Sequence, residues 1–416
     1  MKPLADLAGC LAGLAADEGI VMHSGAAHPT RLGRLLAEAA GSLRGRRIHT
    51  LTPLGPLAYA DPPARDLLEI NTFLPGAGLR AAMDAGRVMP LRQPLSSVPA
   101  SFAQRGLPVG AVLLRVSPPD AAGRVSLGVS VDYMPQAIAA ARLVIVEIDP
   151  LMPRTMGDSW LAASDIDAFV DAADGPHEVA PACSDEAETA IAGHIASLVE
   201  DGAVLQLGVG ALPDQVLARL GHLKHLGLHT GIIGQGARAL IERGVIDNST
   251  KGHLAGISVA TMAFGSAGFY AFLDGNAAVG LYPCALTHDH AVLRRLGRLC
   301  AINSAMQVGL DGRVNAEWAG RRRVSLPGGL PDFARVASGL PGGRSIIALR
   351  STGRNGASNI VEAIGGDAPA SLEPHEVDFV VTEFGVASLR GRTPTQRRQA
   401  LAAIAHPQHR QALAAA

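Results

Sequence analysis

The chain has 416 residues, with 36 basic and 37 acidic side chains and a formal net charge of -1, a balance that lacks the electrostatic footprint of a protein tracking nucleic acid. Hydrophobic residues make up 48% and charged residues 18%, which excludes a disordered chain and, at roughly 100–200 residues per domain, predicts two domains or three. The cysteines, Cys10, Cys183, Cys284 and Cys300, form no CxxC and no disulfide framework, a usage that suits a reducing cytosol.

The N-terminal stretch carries Asp6, Asp17 and Glu18 and lacks the long apolar region of a signal peptide. A cytoplasmic protein is expected. Short runs rich in Val, Ile and Leu follow at 111–117, 142–149, 202–208, 344–351 and 377–385. Near-continuous apolar strands of this kind belong to parallel sheets covered on both faces. Helical stretches such as 185–200 and 213–220 lie between them, so the fold class is α/β.

The stretch 172–184 holds two prolines and a glycine and shows no clear periodicity. It divides the chain into domains at 1–180 and 184–416. Just beyond it, Ser184 is placed to cap a helix whose first turn carries Asp185 and Glu186, acids favoured at the positive end of the helix dipole. The uncharged stretch 252–273 is long enough to span a bilayer. Its four glycines, two serines, threonine and His253 fit a buried strand, a turn and a helix better.

The clearest local signal is strand–loop–helix at 202–220, where Gly208, Val209, Gly210, Ala211 and Leu212 precede Pro213. Glycines allow positive φ and close approach of a ligand to the backbone, and Pro at the first helical position costs no hydrogen bond. The free N–H groups there suit an anion or a carbonyl oxygen, although a structural turn reads equally well. Ser325–Phe333, containing Gly328 and Gly329 between Pro327 and Pro331, is a second rigid loop with donors for an oxyanion, or an ordinary turn. Ser351–Gly356 is a third candidate.

His288 and His290, and His225 and His229, lack the Cys, Asp or Glu spacing of a zinc site and read as surface or packing residues. Arg44, Arg46 and Arg47, and Arg321–Arg323, read as solvated faces. No phosphate-binding GxxxxGK[ST], GxSxG elbow or complete GxGxxG pattern occurs.

Together the segments resemble the acetyl-CoA hydrolase/transferase family, on the 4-hydroxybutyrate and acetate CoA-transferase branch. The landmarks are 117–133, 152–159, 164–167, 201–217, 226–246, 301–317, 327–333 and 380–392, in order and over nearly the whole chain. The resemblance implies two similar open α/β halves of mostly parallel sheet. It also implies acyl-CoA bound at their interface, chiefly on the C-terminal half, and a homodimer or larger homo-oligomer. Coenzyme A would be carried as the acyl-CoA substrate, with no metal or redox cofactor and no nucleic-acid or membrane partner. CoA-binding positions on this basis are Gly208, Val209, Gly210, Ala211, Leu212, Gly328, Gly329 and Asn303. Asn276, Glu317 and Asp332 also match residues that shape the family's site.

Members of the family move CoA between carboxylic acids through a glutamate. Its carboxylate attacks the thioester, and a glutamyl-CoA thioester follows by way of a mixed anhydride. The family segment reads L-G-[IV]-H-[ST]-E-[ML], whereas this chain reads Leu226-Gly227-Leu228-His229-Thr230-Gly231-Ile232. The nucleophile's position is therefore Gly231. Gln235, Gly280 and Leu330 also depart from the pattern, and these changes predict an enlarged, more apolar site.

Three readings follow. In the first, an amine, alcohol or water attacks a bound thioester directly, with His229 as base or as a group that orients the loop, and with Gly329 and Asn276 in the catalytic set. In the second, CoA transfer persists through another carboxylate, Glu317 or Asp332. The third is a non-catalytic CoA-binding protein.

Overall fold

The computed structural model describes residues 1–103, 106–365 and 369–415. The chain divides into two compact units, one of Met1–Ala180 with Ala260–Leu286 and one of Pro181–Val259 with Thr287–Ala416. Residues 260–286 thus depart from the expected domain of 184–416. Pairing explains the difference: Val279–Leu281 runs parallel to Met156–Gly157, and Met262 bridges Ser130.

Unit 1 is built on eight strands: β1 (Lys2–Pro3), β2 (Gly19–Met22), β3 (Arg47–Thr50), β4 (Glu69–Thr72), β5 (Val88–Pro90), β6 (Val109–Val116), β7 (Leu143–Ile148) and β8 (Ala168–Asp171). Their order is β1-β8-β7-β6-β2-β3-β4-β5, and every pairing is parallel. All eight residues of β6 are buried, which is why its sequence is an unbroken apolar run rather than an alternating one. Arg115 is fully buried there and is held by Asp174 at 2.6 Å and by Thr30 Oγ1 at 3.1 Å.

The main sheet of unit 2 has six strands: β9 (Val204–Gln206), β10 (Gly227–Leu228), β11 (Leu299–Ser304), β12 (Arg344–Ala348), β13 (Phe379–Thr382) and β14 (Gly385–Ser388). The order is β10-β9-β11-β12-β13-β14, parallel except for the closing β13–β14 hairpin. Its helices include α1 (Glu186–Ala196), α2 (Ala211–Arg219), α3 (His290–Arg294) and α4 (Leu330–Gly339). Phe333, Val336 and Ala337 of α4 share a buried core with Val204, Leu299 and Ala301. That packing fixes the N-terminus of α4 relative to β9 and β11.

Two local expectations are corrected. Asp185, not Ser184, caps α1, its carboxylate accepting from Glu188 N at 3.0 Å. Helix α2 opens at Ala211, not Pro213, because Gly210 turns the chain at φ 123° and ψ -175°. Pro213 still lies in the first turn, where its missing N–H has no intrahelical acceptor. The stretch 252–273 forms two strands, Ser258–Ala260 and Met262–Phe264, and then the helix Ala267–Leu273 capped by Ser266. Among the described residues no helix is long and apolar enough to cross a membrane.

Candidate functional site

In open parallel sheets, ligands gather at the carboxyl ends of the strands. In unit 2, Gly208–Gly210 follows β9, His229–Gly231 follows β10, and Asn303 sits near the end of β11. The first two loops are tied together. His229 N donates to Leu205 O at 3.0 Å, and Thr230 Oγ1 donates to Leu207 O at 2.7 Å. Gly208 is exposed, and Val209, Gly210, Ala211 and Leu212 are half-buried. A small recess beside this loop is bordered by Leu207, Gly208, Asp214, Thr230 and Ile232.

Asn303 does not present a free amide. It exchanges hydrogen bonds with Gln206, Nδ2 to Oε1 at 2.9 Å and Gln206 Nε2 to Asn303 Oδ1 at 3.3 Å, pinning β11 to β9. Asn276 belongs to unit 1, where it closes the turn after helix Ala267–Leu273. Its amide donates to Phe272 O at 3.0 Å and its carbonyl oxygen accepts from Ala278 N at 3.0 Å.

Gly328 adopts φ +56°, and Gly329 stands at the N-cap of α4 with φ -89°. The ring between Gly329 and Gly231 is His288. A Cβ added at Gly231 would lie 3.2 Å from His288 Nε2, and one added at Gly329 would lie 2.5 Å from it. His288 is fully buried. Its Nδ1 is 2.8 Å from Thr287 Oγ1, the Phe333 ring packs edge-on at 5.0 Å, and Nε2 has no hydrogen-bond partner among the described residues. Burial lowers its pKa to about 4, the Asp332 carboxylate opposing and His290 reinforcing that shift. The imidazole is therefore neutral near pH 7.

His229 is also fully buried. Its Nε2–H donates to Thr287 O at 3.0 Å and its ring meets Phe333 edge-on at 6.4 Å. Burial, followed by the field of Lys251, depresses its pKa to about 3. Lys251 is itself buried, its Nζ donating to Leu228 O at 3.3 Å and to Ile257 O, and burial lowers its pKa to about 7.

The candidate carboxylates are inward-facing. Asp332 is fully buried, with Oδ1 3.2 Å from His290 Nε2. Glu317 is buried too. Its carboxylate accepts from Ser371 Oγ at 3.0 Å and its carbonyl from Val324 N and Ser325 N, bracing the approach to Gly328. Glu242 pairs with Arg238 on the surface of its helix.

At both glycines the space an added side chain would take is bordered by a ring. The His288 ring stands beside Gly231, and at Gly280 a Cβ would come 2.6 Å from the Tyr282 ring. Each glycine faces an aromatic ring from its own unit. Of the two readings of His288, surface or packing, the structure shows the second: the ring is fully buried against Phe333, between Gly231 and Gly329, with Nε2 unpaired. Nothing in the linear sequence links residues 231, 288 and 329. Two short loops and a helix bring them together.

Residues 11–180 match the acetyl-CoA hydrolase/transferase N-terminal domain, and residues 265–416 match the C-terminal domain. The chain is 37% identical to the 4-hydroxybutyrate coenzyme A transferase of Clostridium kluyveri, over 95% of this chain and 92% of that protein. Its fold is similar to the crystal structure of RipA from Yersinia pestis, with a TM-score of 0.91 and 30% identity over 99% of this chain and 96% of that one. It is also similar to 4-hydroxybutyrate CoA-transferase from Porphyromonas gingivalis, with a TM-score of 0.78 and 31% identity over 97% and 94% of the two chains.

Proposed function

Given that this chain belongs to the acetyl-CoA hydrolase/transferase family and is an enzyme acting on CoA thioesters, we propose that it transfers the acyl group directly from bound acyl-CoA to an amine, an alcohol or water. The observation that carries this reading is Gly231. It offers no side chain to acylate, and a neutral imidazole occupies the space beside it. Glu317 and Asp332 support the reading from the other side, since both carboxylates are buried.

On this reading the Gly208–Leu212 loop and the Gly328–Gly329 turn hold the CoA thioester. Backbone N–H groups at the start of α2 face the charge that develops on the thioester oxygen. Fixed donors of this kind act without reorganisation and contribute about 3–4 kcal/mol each where measured. His229 is a positioning residue that holds Thr287, and Asn303 with Gln206 sets the strand ends. Asn276 serves unit 1's own turn.

A CoA-transferase using another carboxylate is the second reading, favoured by the 37% identity to a named CoA transferase. One experiment separates the readings: mass spectrometry after incubation with acetyl-CoA or butyryl-CoA and isotope-labelled acetate. Direct transfer gives acceptor-dependent CoA release and no labelled acetyl-CoA. Labelled acetyl-CoA, with inactivation by borohydride, would establish CoA transfer instead. A CoA-dependent rise in melting temperature without turnover would identify a binding protein.

A further inference from the structure

We propose that His288 Nε2 is the general base of this enzyme, standing where the side chain of a nucleophile at position 231 would project. The inference rests on the direct-transfer reading and adds to it the group that removes the acceptor's proton. Three observations meet at one atom. Nε2 is the atom nearest a side chain at either Gly231 or Gly329. It is unpaired although its residue is fully buried, an arrangement that ordinarily costs free energy unless a ligand relieves it. The ring's other nitrogen is anchored on Thr287 Oγ1 at 2.8 Å.

With Nδ1–H donating to Thr287 Oγ1, Nε2 carries the lone pair. His229 donates to the carbonyl of the same Thr287 at 3.0 Å, so the backbone bearing His288 is itself tethered. Nε2 is itself enclosed, so the acceptor reaches it through a small opening past Gly231 and Gly329, which are half-buried and carry no side chain. A side chain at either position would close it.

The reaction then balances as follows. The acceptor oxygen or nitrogen attacks the thioester carbonyl carbon while its proton passes to His288 Nε2. The carbonyl becomes an oxyanion facing backbone N–H groups. As the oxyanion collapses the C–S bond breaks, and the sulfur leaves with the proton returned from Nε2 as free CoA thiol. No bond forms between acyl group and protein, and nothing is oxidised or reduced. The groups facing the imidazole are Asp332, which favours the cation, and His290, which opposes it, with Phe333 packed against the ring.

The test measures CoA release from butyryl-CoA by the full chain, with water alone and with ethanolamine, which offers an amine and a hydroxyl. His288→Ala should lower kcat by about 10²–10⁴, the range typical of a lost general base, while the CoA-induced thermal shift persists. Added imidazole should restore part of the lost rate to His288→Ala but should not accelerate the parent enzyme. If the alanine variant does not fold, His288→Gln fills similar volume without the base and should show the same loss in kcat.

A folded variant with kcat within about threefold of the parent would overturn the assignment, since general-base loss is far larger. So would a loss that imidazole fails to rescue together with a lost CoA shift, which would mark a structural ring. A stable butyryl adduct on His288, seen by intact mass, would replace the base with a nucleophile. Labelled acetyl-CoA from the parent enzyme would instead sink the direct-transfer reading itself.

Discussion

Replacing Gly329 with alanine tests the central geometry without reference to any reaction. The added methyl would lie 2.5 Å from His288 Nε2 and 2.9 Å from Cδ2, about 0.9 Å inside the 3.4 Å at which ordinary contact begins. Gly329 has φ -89°, so the backbone imposes no penalty and the contact alone decides the cost. The ring has little room to retreat, with Nδ1 on Thr287 Oγ1 and Phe333 against its face. Overpacking of this kind costs about 1–3 kcal/mol.

The assay is urea denaturation of the full chain with each transition fitted separately. It is run for Gly329→Ala, His288→Ala and the double variant. Removing the ring should relieve the methyl, so the double variant should be more stable than additivity predicts by about 0.5–3 kcal/mol. A neutral Gly329→Ala, or strict additivity in the cycle, would mean that His288 does not stand over Gly329.

Gly231→Ala meets the same Nε2 at 3.2 Å, so it should cost less than Gly329→Ala; the reverse order in the same titrations would put the ring elsewhere. Gly210→Ala meets no atom within 4 Å but inherits φ +123°, so strain alone should cost about 1–3 kcal/mol. A bulky residue at Gly210 should also abolish the CoA-induced thermal shift, which a bound ligand at a hundredfold its Kd sets at about 2.7 kcal/mol. An unchanged shift would remove the loop from the CoA site. His288 has a folded pKa of about 4 against 6.5 in the unfolded chain, so the unfolded state binds the extra proton between those values. The stabilisation is present above pH 6.5 and is lost as pH falls to about 4, an effect of about 3 kcal/mol that His288→Gln should lack. Parallel stability–pH curves for the two proteins would contradict a neutral buried His288.

Much of the architecture is written in local pattern. The runs around β6, β7, β9, β12 and β13 are apolar on both faces because helices cover both sides of a parallel sheet, and the sequence carries that directly. The Gly208–Leu212 loop is legible for the same kind of reason: a strand, two glycines and a helix start are neighbours in the chain. The cap of α1 and the first residue of α2 shifted by one and two positions, as helix ends are set by hydrogen bonds that composition does not reveal. Residues 260–286 look like part of the second half but pair with Met156–Gly157 and Ser130, a long-range contact with no local signature.

The sequence by itself determined the α/β class, the strand cores, the family resemblance and the glycine at position 231. Each of these depends on residues near one another in the chain. Only the tertiary structure decided what stands beside that glycine. His288 lies 57 positions from Gly231 and 41 from Gly329 in the numbering, and it meets both because α4 packs its Phe333 face onto β9 and β11 while Thr287 is held by His229. A glycine in a sequence states that a side chain is absent. Whether the space is empty, or filled by a ring from elsewhere, is settled by close packing, which fills volume without regard to chain distance.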